Sequence, residues 1–388
     1  MPASSNPLLW IIVGEPSGDA LASVILTALK DKYPNIICQG VAGPLTEHAG
    51  EFVSLFPYTD LCHMGVGSVL RNSVSLMRRY RQTIDVMHHQ RPNLLLTIDC
   101  PDFSLRVSQA VSALTQRVHC VAPSVWAWRK RRAQTLRKKT DYLLHLFEFE
   151  RHFFPQIPCF WVGHPLADQE PPNQTLFWLS YPELSSLYPL VCILPGSRVQ
   201  EIQRCWPIFK QSVETLKQNE KNLQAVVVTL PEHVKIFKQE GYITVTNPLL
   251  KNSVFANASA ALACSGTVTL ELALHKTPMV IGYKVSPFLA WMLRRLVTTP
   301  YAGLVNILAQ EMVAPEYLQN NFTSQNITKA LKSLLYTSPE INSCHYFEKI
   351  WSNVKTPQGF AATSAQVLAR ILGIVENASY RKELETVT

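Results

Sequence analysis

The sequence is poor in the features that would make a disulfide scaffold, a zinc module or a membrane span. Its nine cysteines are odd in number, scattered and without a Cys-x-x-Cys pair. They are read as buried free thiols in a reducing compartment, which excludes a disulfide framework and a zinc ribbon. No uncharged apolar run reaches the roughly 20 residues of a spanning helix, and even the stretch 288–297 is broken by Arg294 and Arg295. The first residues carry neither a basic stretch nor a small-residue cleavage site, so Leu8–Val13 is read as a strand and not as a secretory leader. Solenoid repeats and low-complexity tracts are absent. Charge is sparse at 16%, and acidic residues (28) are outnumbered by basic ones (36), giving a net +8. That balance predicts an anionic partner: a phosphate-bearing ligand, a nucleic acid or an acidic lipid surface. What the chain has in quantity is apolar material, 47% over 388 residues, enough for two cores and too much for one.

The apolar runs are short, and several end in a small-residue turn that opens a helix. Leu190–Leu194 runs into Pro195-Gly196-Ser197-Arg198, and a helical pattern with Ile202 and Trp206 follows. Gly196 lets backbone approach a ligand, Ser197 can cap the helix, N–H groups of its first turn favour phosphate, and Arg198 adds a planar cationic fork. An ordinary strand-to-helix turn with a solvated arginine would look the same. Ala260–Cys264 ends in Ser265-Gly266-Thr267 with Glu271 one turn further on. There hydroxyl and backbone donors suit phosphate, while Glu271 either grips a ribose diol or is a favourable charge near a helix N-terminus.

The first half repeats the pattern. Leu8–Val13 leads into Gly14-Glu15-Pro16-Ser17-Gly18-Asp19, which lacks the G-x-G-x-x-G spacing of a dinucleotide fingerprint. Glu15 and Asp19 either hold a sugar hydroxyl or cap the following helix. Asn93–Ile98, the most continuously apolar strand of this half, delivers Asp99-Cys100-Pro101-Asp102 to its C-terminal end. In an open parallel sheet that edge faces the ligand crevice, so both carboxylates are candidate general bases; Asp102 could instead cap a helix beginning near Ser104. Alternation of strands and helices throughout predicts an α/β chain of doubly wound parallel sheets.

Two basic stretches bear on partners. Met64–His89 places Met64, Val66, Val69, Leu70 and Met77 beside Arg71, Arg78, Arg79 and Arg81. Such a segment suits either an anionic membrane surface or a core-facing helix with a wet basic side. Trp126 and Trp128 precede Arg129-Lys130-Arg131-Arg132. Their place between two strands favours a solvated or lipid-facing helix over a nucleic-acid surface, and no nucleic-acid partner is expected.

Taken in order, Gly14-Glu15-Pro16-Ser17-Gly18-Asp19, Asp99-Cys100-Pro101-Asp102-Phe103-Ser104, Pro123-Ser124-Val125-Trp126-Ala127-Trp128, Gly163-His164-Pro165, Leu194-Pro195-Gly196-Ser197-Arg198 with Glu201, Ser265-Gly266-Thr267 with Glu271, and Pro278-Met279-Val280-Ile281-Gly282-Tyr283-Lys284 resemble the lipid-A-disaccharide synthase family. The resemblance runs from about Leu8 to Gln319. It implies a GT-B type inverting glycosyltransferase with two Rossmann-like domains facing across a cleft. The first would span 1–170, joined by a C-terminal helix from 357 to 388, and would face acceptor and membrane; the second, 188–350, would bind UDP-sugar. Implied substrates are UDP-2,3-diacylglucosamine and 2,3-diacylglucosamine 1-phosphate, giving a β-1,6 disaccharide and UDP, on the cytoplasmic face of the inner membrane. Asp99 falls on the family's important aspartate and Arg198 on its Pro-Gly-Ser-Arg arginine. Asn306 falls on the asparagine of a Pro-Asn segment, where this chain has Val305 for the proline. By the same implication Gly196, Ser197, Ser265, Gly266, Thr267, Glu271 and Asn306 contact the UDP-sugar. Glu15, Ser17, Asp19, Asp102 and Ser124 are sugar candidates, and Met64 to Met77 with Arg78 and Arg79 meets acyl chains or membrane. No cofactor is implied, and with no Asp-x-Asp in the sequence no metal is indicated; arginine and helix dipoles would hold the diphosphate.

Overall fold

A computed structural model describes residues 6–62, 69–123, 131–287, 289–291, 299–336 and 344–375; the side chains of 62, 69–73, 131–132 and 344–347 are not among what is described. The chain forms two compact units, Met1–Asp168 with Asn353–Thr388, and Gln169–Ser352.

The first unit carries a six-stranded sheet in the order β2-β1-β3-β4-β5-β6. Its strands are β1 (Leu8–Val13), β2 (Ile37–Val41), β3 (Leu94–Ile98), β4 (Gln116–Cys120), β5 (Tyr142–His145) and β6 (Cys159–Trp161). Every pairing is parallel. Apolar runs without alternation become parallel strands because helices cover both faces. Trp10, Ile12, Leu95, Phe103 and Val107 form the core on one side, with Leu76, Tyr80 and Ile84 packed against it. The helices are α1 (Pro16–Lys32), α2 (Pro44–Gly50), α3 (Thr59–Cys62), α4 (Val69–Gln90), α5 (Pro101–Ala110) and α6 (Arg131–Leu136). The helix Gly359–Ile371 belongs to this unit, tied by Phe360 N donating to Asp168 Oδ2 at 2.6 Å.

The second unit has the order β12-β11-β10-β7-β8-β9, again all parallel. The strands are β7 (Leu190–Leu194), β8 (Gln224–Val228), β9 (Ile243–Val245), β10 (Ala260–Cys264), β11 (Met279–Tyr283) and β12 (Glu316–Leu318). Its core gathers Val191, Ile193, Phe209, Leu262, Val280, Phe322 and Leu331. Helices α7 (Gln174–Ser180), α8 (Val199–Asn219), α9 (Val234–Lys238), α10 (Pro248–Asn257) and α11 (Val268–Leu274) are followed by Leu304–Ala309 and Ser324–Tyr336. The segment 169–189, without sustained periodicity in sequence, belongs here. Buried Phe177 anchors it, with its N–H on Ser253 Oγ at 3.1 Å.

Strand order reverses between β1 and β3 in the first sheet and between β7 and β10 in the second. A doubly wound sheet opens its ligand crevice at the carboxyl ends of such a pair. Among the described residues no helix is long and apolar enough to cross a membrane.

Candidate active site

Each reversal carries a sequence motif. At the first, β1 ends in Gly14-Glu15 and β3 in Asp99-Cys100. Asp99 and Cys100 both adopt left-handed backbone, φ +53° and +46°, and Val121 beyond β4 does so at +75°. Non-glycine residues held this way cost on the order of 1–3 kcal/mol each and concentrate where geometry serves function. The bend is locked by Ser104 Oγ, which donates to the carbonyls of Asp99 (2.9 Å) and Cys100 (2.8 Å), and by Asp99 N on Cys120 O at 3.3 Å. The Asp99 carboxylate takes a hydrogen bond from Cys100 N at 3.1 Å. Burial raises its pKa above the ordinary carboxylate range, and the Cys100 N–H pulls less strongly the other way.

The neighbouring carboxylates divide. Glu15 is exposed at the N-cap position of α1 without a side-chain capping bond, and Ser17 is exposed in the first turn. Asp19 corrects the expectation of a sugar ligand or a cap of its own helix. It is 3% exposed and accepts from Leu45 N (3.1 Å), Thr46 N (3.1 Å) and Thr46 Oγ1 (2.5 Å), so it caps α2. Asp102 is no cap either, because α5 begins at Pro101 and not near Ser104. It is exposed and lines a groove of about 510 Å³ with Leu76, Met77, Tyr80, Phe103 and Arg106. Ser124 lies outside the described residues.

At the second reversal, β7 ends in Pro195-Gly196-Ser197-Arg198 and β10 in Ser265-Gly266-Thr267. The two turns differ in what their donors do. Glu201 Oε2 accepts from Ser197 N (3.1 Å) and Arg198 N (3.3 Å), and Oε1 meets Arg198 Nη1 at 3.0 Å. Gly196, φ +116°, is needed because a Cβ there would lie 2.6 Å from that of Glu201. Two expectations are corrected: Ser197 does not cap α8, whose N-cap residue is Arg198, and these N–H groups already hold a carboxylate. His233 Nε2 sits 3.0 Å from Ser197 O and braces the turn from the other side. The Arg198 side chain remains 79% exposed. The Ser265–Thr267 turn is open by contrast: Gly266 and Thr267 are exposed, and a Cβ on Gly266 would meet nothing within 4 Å. Ser265 Oγ is turned away to Ala302 O at 2.8 Å. Glu271 forms a close ion pair with Lys251 of α10 and is 16% exposed at its side chain.

Asn306 is held by its own unit. It is fully buried; Nδ2 donates to Ala314 O (2.8 Å) and Glu316 Oε1 (2.6 Å), and Oδ1 accepts from Ala314 N (2.9 Å). Its amide thus ties the short helix Leu304–Ala309 to the start of β12.

The basic segment is also sorted. Met64 and Val66 lie outside the described residues, and of Val69 and Leu70 only the helical backbone is described. Leu76 turns to the core, while Val74 (82% exposed), Met77 (46%) and Arg78 face outward. Arg79 is not an outward contact. It pairs with Asp60 at 2.9 Å and lies over the Phe56 ring at 4.7 Å.

Sequence reasoning missed Ser104, His233, Lys251 and Glu316. Glu201 had a usable signal, an acidic residue three positions after the N-cap; Lys251 and Glu316 come from distant elements and had none.

A family model described as Lipid-A-disaccharide synthetase matches residues 9–362. The lipid-A-disaccharide synthase of Granulibacter bethesdensis is 36% identical over 350 residues, 87% of this chain and 88% of that one. That of Pseudomonas fluorescens is 34% identical over 84% of this chain and 89% of its own. Among solved structures, UDP-GlcNAc 2-epimerase from Neisseria meningitidis bound to UDP-GlcNAc superposes with TM-score 0.60 at 13% identity, over 95% of this chain and 100% of that one. Spinosyn forosaminyltransferase SpnP gives TM-score 0.55 at 14% identity, with the same coverage. At such identity these neighbours establish the fold, which is of the GT-B type.

Proposed function

Because the chain belongs to the lipid-A-disaccharide synthetase family, and is therefore a glycosyltransferase, we propose how its residues carry the transfer. The donor is UDP-2,3-diacylglucosamine and the acceptor 2,3-diacylglucosamine 1-phosphate; the products are the β-1,6 disaccharide 1-phosphate and UDP. Asp99 removes the proton of the acceptor 6-hydroxyl as that oxygen attacks the anomeric carbon, in one displacement with inversion. Burial raises the pKa of the Asp99 carboxyl, and a carboxylate held above its ordinary pKa is a better base toward a hydroxyl. Arg198 meets the negative charge growing on departing UDP, and the Ser265–Thr267 turn supplies backbone donors at a helix N-terminus. Glu271, fixed by Lys251, accepts from the ribose diol. Val74, Met77 and Arg78 rest on the anionic surface from which the acylated substrates come, so the protein works peripherally on the cytoplasmic face of the inner membrane.

The observation that carries this reading is the placement of the motifs. Asp99 stands at the strand reversal of one sheet, and Arg198 and the Ser265–Thr267 turn stand at that of the other. Mass spectrometry of products formed from the two lipid substrates tests donor, acceptor and stoichiometry together. A disaccharide 1-phosphate is expected. Product formed only with a water-soluble acceptor, or an epimerised sugar nucleotide, rejects the assignment.

A further inference from the structure

Beyond the residues so far given roles, Glu316 stands at the centre of a hydrogen-bonded hub. Its carboxylate accepts from Ala302 N and Gly303 N, each at 2.8 Å, and from Asn306 Nδ2 at 2.6 Å. Asn306 is in turn clamped by Ala314, two residues before Glu316. Ala302 passes the connection on, because its carbonyl accepts the Ser265 hydroxyl proton at 2.8 Å. Two stretches, 302–306 and 314–316, thus meet at a half-buried carboxylate, and the Ser265 hydroxyl links this hub to the turn that opens α11.

We infer that Glu316 is a positioning residue for diphosphate recognition: it fixes the loop at Ala302–Gly303, which holds Ser265 and so sets the Ser265–Thr267 turn. This rests on the reading of that turn as the phosphate site. A carboxylate linked through Ala302 to a phosphate turn is an unexpected choice of charge, and the hub shows why an anion stands there. Three N–H donors converge on two oxygens, a demand a carboxylate meets and an amide meets only in part. The commitment of the Ser265 proton to Ala302 also means that backbone N–H groups, not the Ser265 O–H, face the phosphate.

The test titrates UDP into the full-length protein and its Glu316→Gln, Ser265→Ala and doubly substituted forms by calorimetry, with melting curves and KM for each substrate. Glu316→Gln should weaken UDP binding roughly tenfold and raise the donor KM by a similar factor, with the lipid acceptor KM unchanged. The double variant should lose no more than the worse single one, as expected for one shared route. Unchanged UDP affinity in a folded Glu316→Gln protein, or losses that multiply, overturns the inference. Should Glu316→Gln not fold, amide hydrogen exchange decides. UDP should slow exchange at Ala302 and Gly303 in the wild-type protein, and that protection should vanish in Ser265→Ala; exchange there indifferent to UDP overturns it. Failure of the wild-type protein to bind UDP removes the functional reading as well, whereas binding that Glu316→Gln leaves intact removes this inference alone.

Discussion

The Cβ that Gly14 lacks would lie 2.5 Å from both Cβ and Sγ of Cys100. The ends of β1 and β3 therefore stand side by side only because one is a glycine and the other a small thiol. Gly14→Ala should push Cys100 and, with it, Asp99 out of place. Overpacking of this kind costs about 1–3 kcal/mol, so a lower melting temperature is expected, with kcat reduced and UDP affinity unchanged. Normal kcat in that variant would show that the close approach does not set the base.

Asp99 yields two measurements from one substitution. Asp99→Asn should retain UDP binding and lose at least roughly two decades of turnover, the usual scale for a general base. Its effect on stability should have the opposite sign. Burial raises the folded-state pKa of Asp99, so between the unfolded and folded values the native state holds more protons than the unfolded one. Stability from this group therefore falls as pH rises through that window and stays low above it. Asp99→Asn should raise the melting temperature at neutral pH, with the gain shrinking as pH falls through that window and absent below the ordinary carboxylate range. The acid limb of the wild-type rate profile should likewise lie above that range. A destabilised Asp99→Asn protein at neutral pH would mean that the carboxylate is a structural anchor.

Arg198 combines 79% side-chain exposure with an ion pair to Glu201. With the arginine head largely in solvent and Glu201 keeping its two backbone donors, the pair contributes little to stability, so Arg198→Ala should melt close to the wild-type protein. Turnover should fall by about two to three decades, the scale seen when a donor to a developing anion is removed. Arg198→Lys keeps the charge without the planar fork and should recover only part of the loss. Wild-type kinetics in Arg198→Ala would leave the leaving group to the Ser265–Thr267 turn.

What was legible in the sequence follows from where the deciding forces act. Strand positions could be read because a strand covered on both faces must be apolar throughout, as Leu190–Leu194 and Leu94–Ile98 are. Once these were placed, Asp99 and the glycine turns fell at strand ends by arithmetic. The fate of polar side chains was not legible, because it is settled by groups on other elements, outside the local motif. Asp19 is claimed by the start of α2 at Leu45 and Thr46, and Asn306 by Ala314 and Glu316. Glu271 is drawn to Lys251 from another helix. A local pattern offers a capping or binding residue; only the tertiary partner decides which donors it meets.

The outward face of α4 supplies the last test. Tyr80, Ile84 and Leu76 pack on the core, yet Val74 and Met77 stay exposed beside Arg78. An apolar pair next to a cation is stable in water only at the cost of unburied surface, and an anionic bilayer satisfies both parts at once. Met77→Glu and Val74→Glu should each weaken sedimentation with vesicles containing anionic lipid, more steeply than Arg78→Ala does at raised salt, because screening removes only the charge term. Affinity for UDP and the melting temperature should not move, since neither side chain belongs to the core. Vesicle binding indifferent to both glutamates would place the membrane contact on another part of the chain and leave this helix as a water-facing cover for β1 and β3.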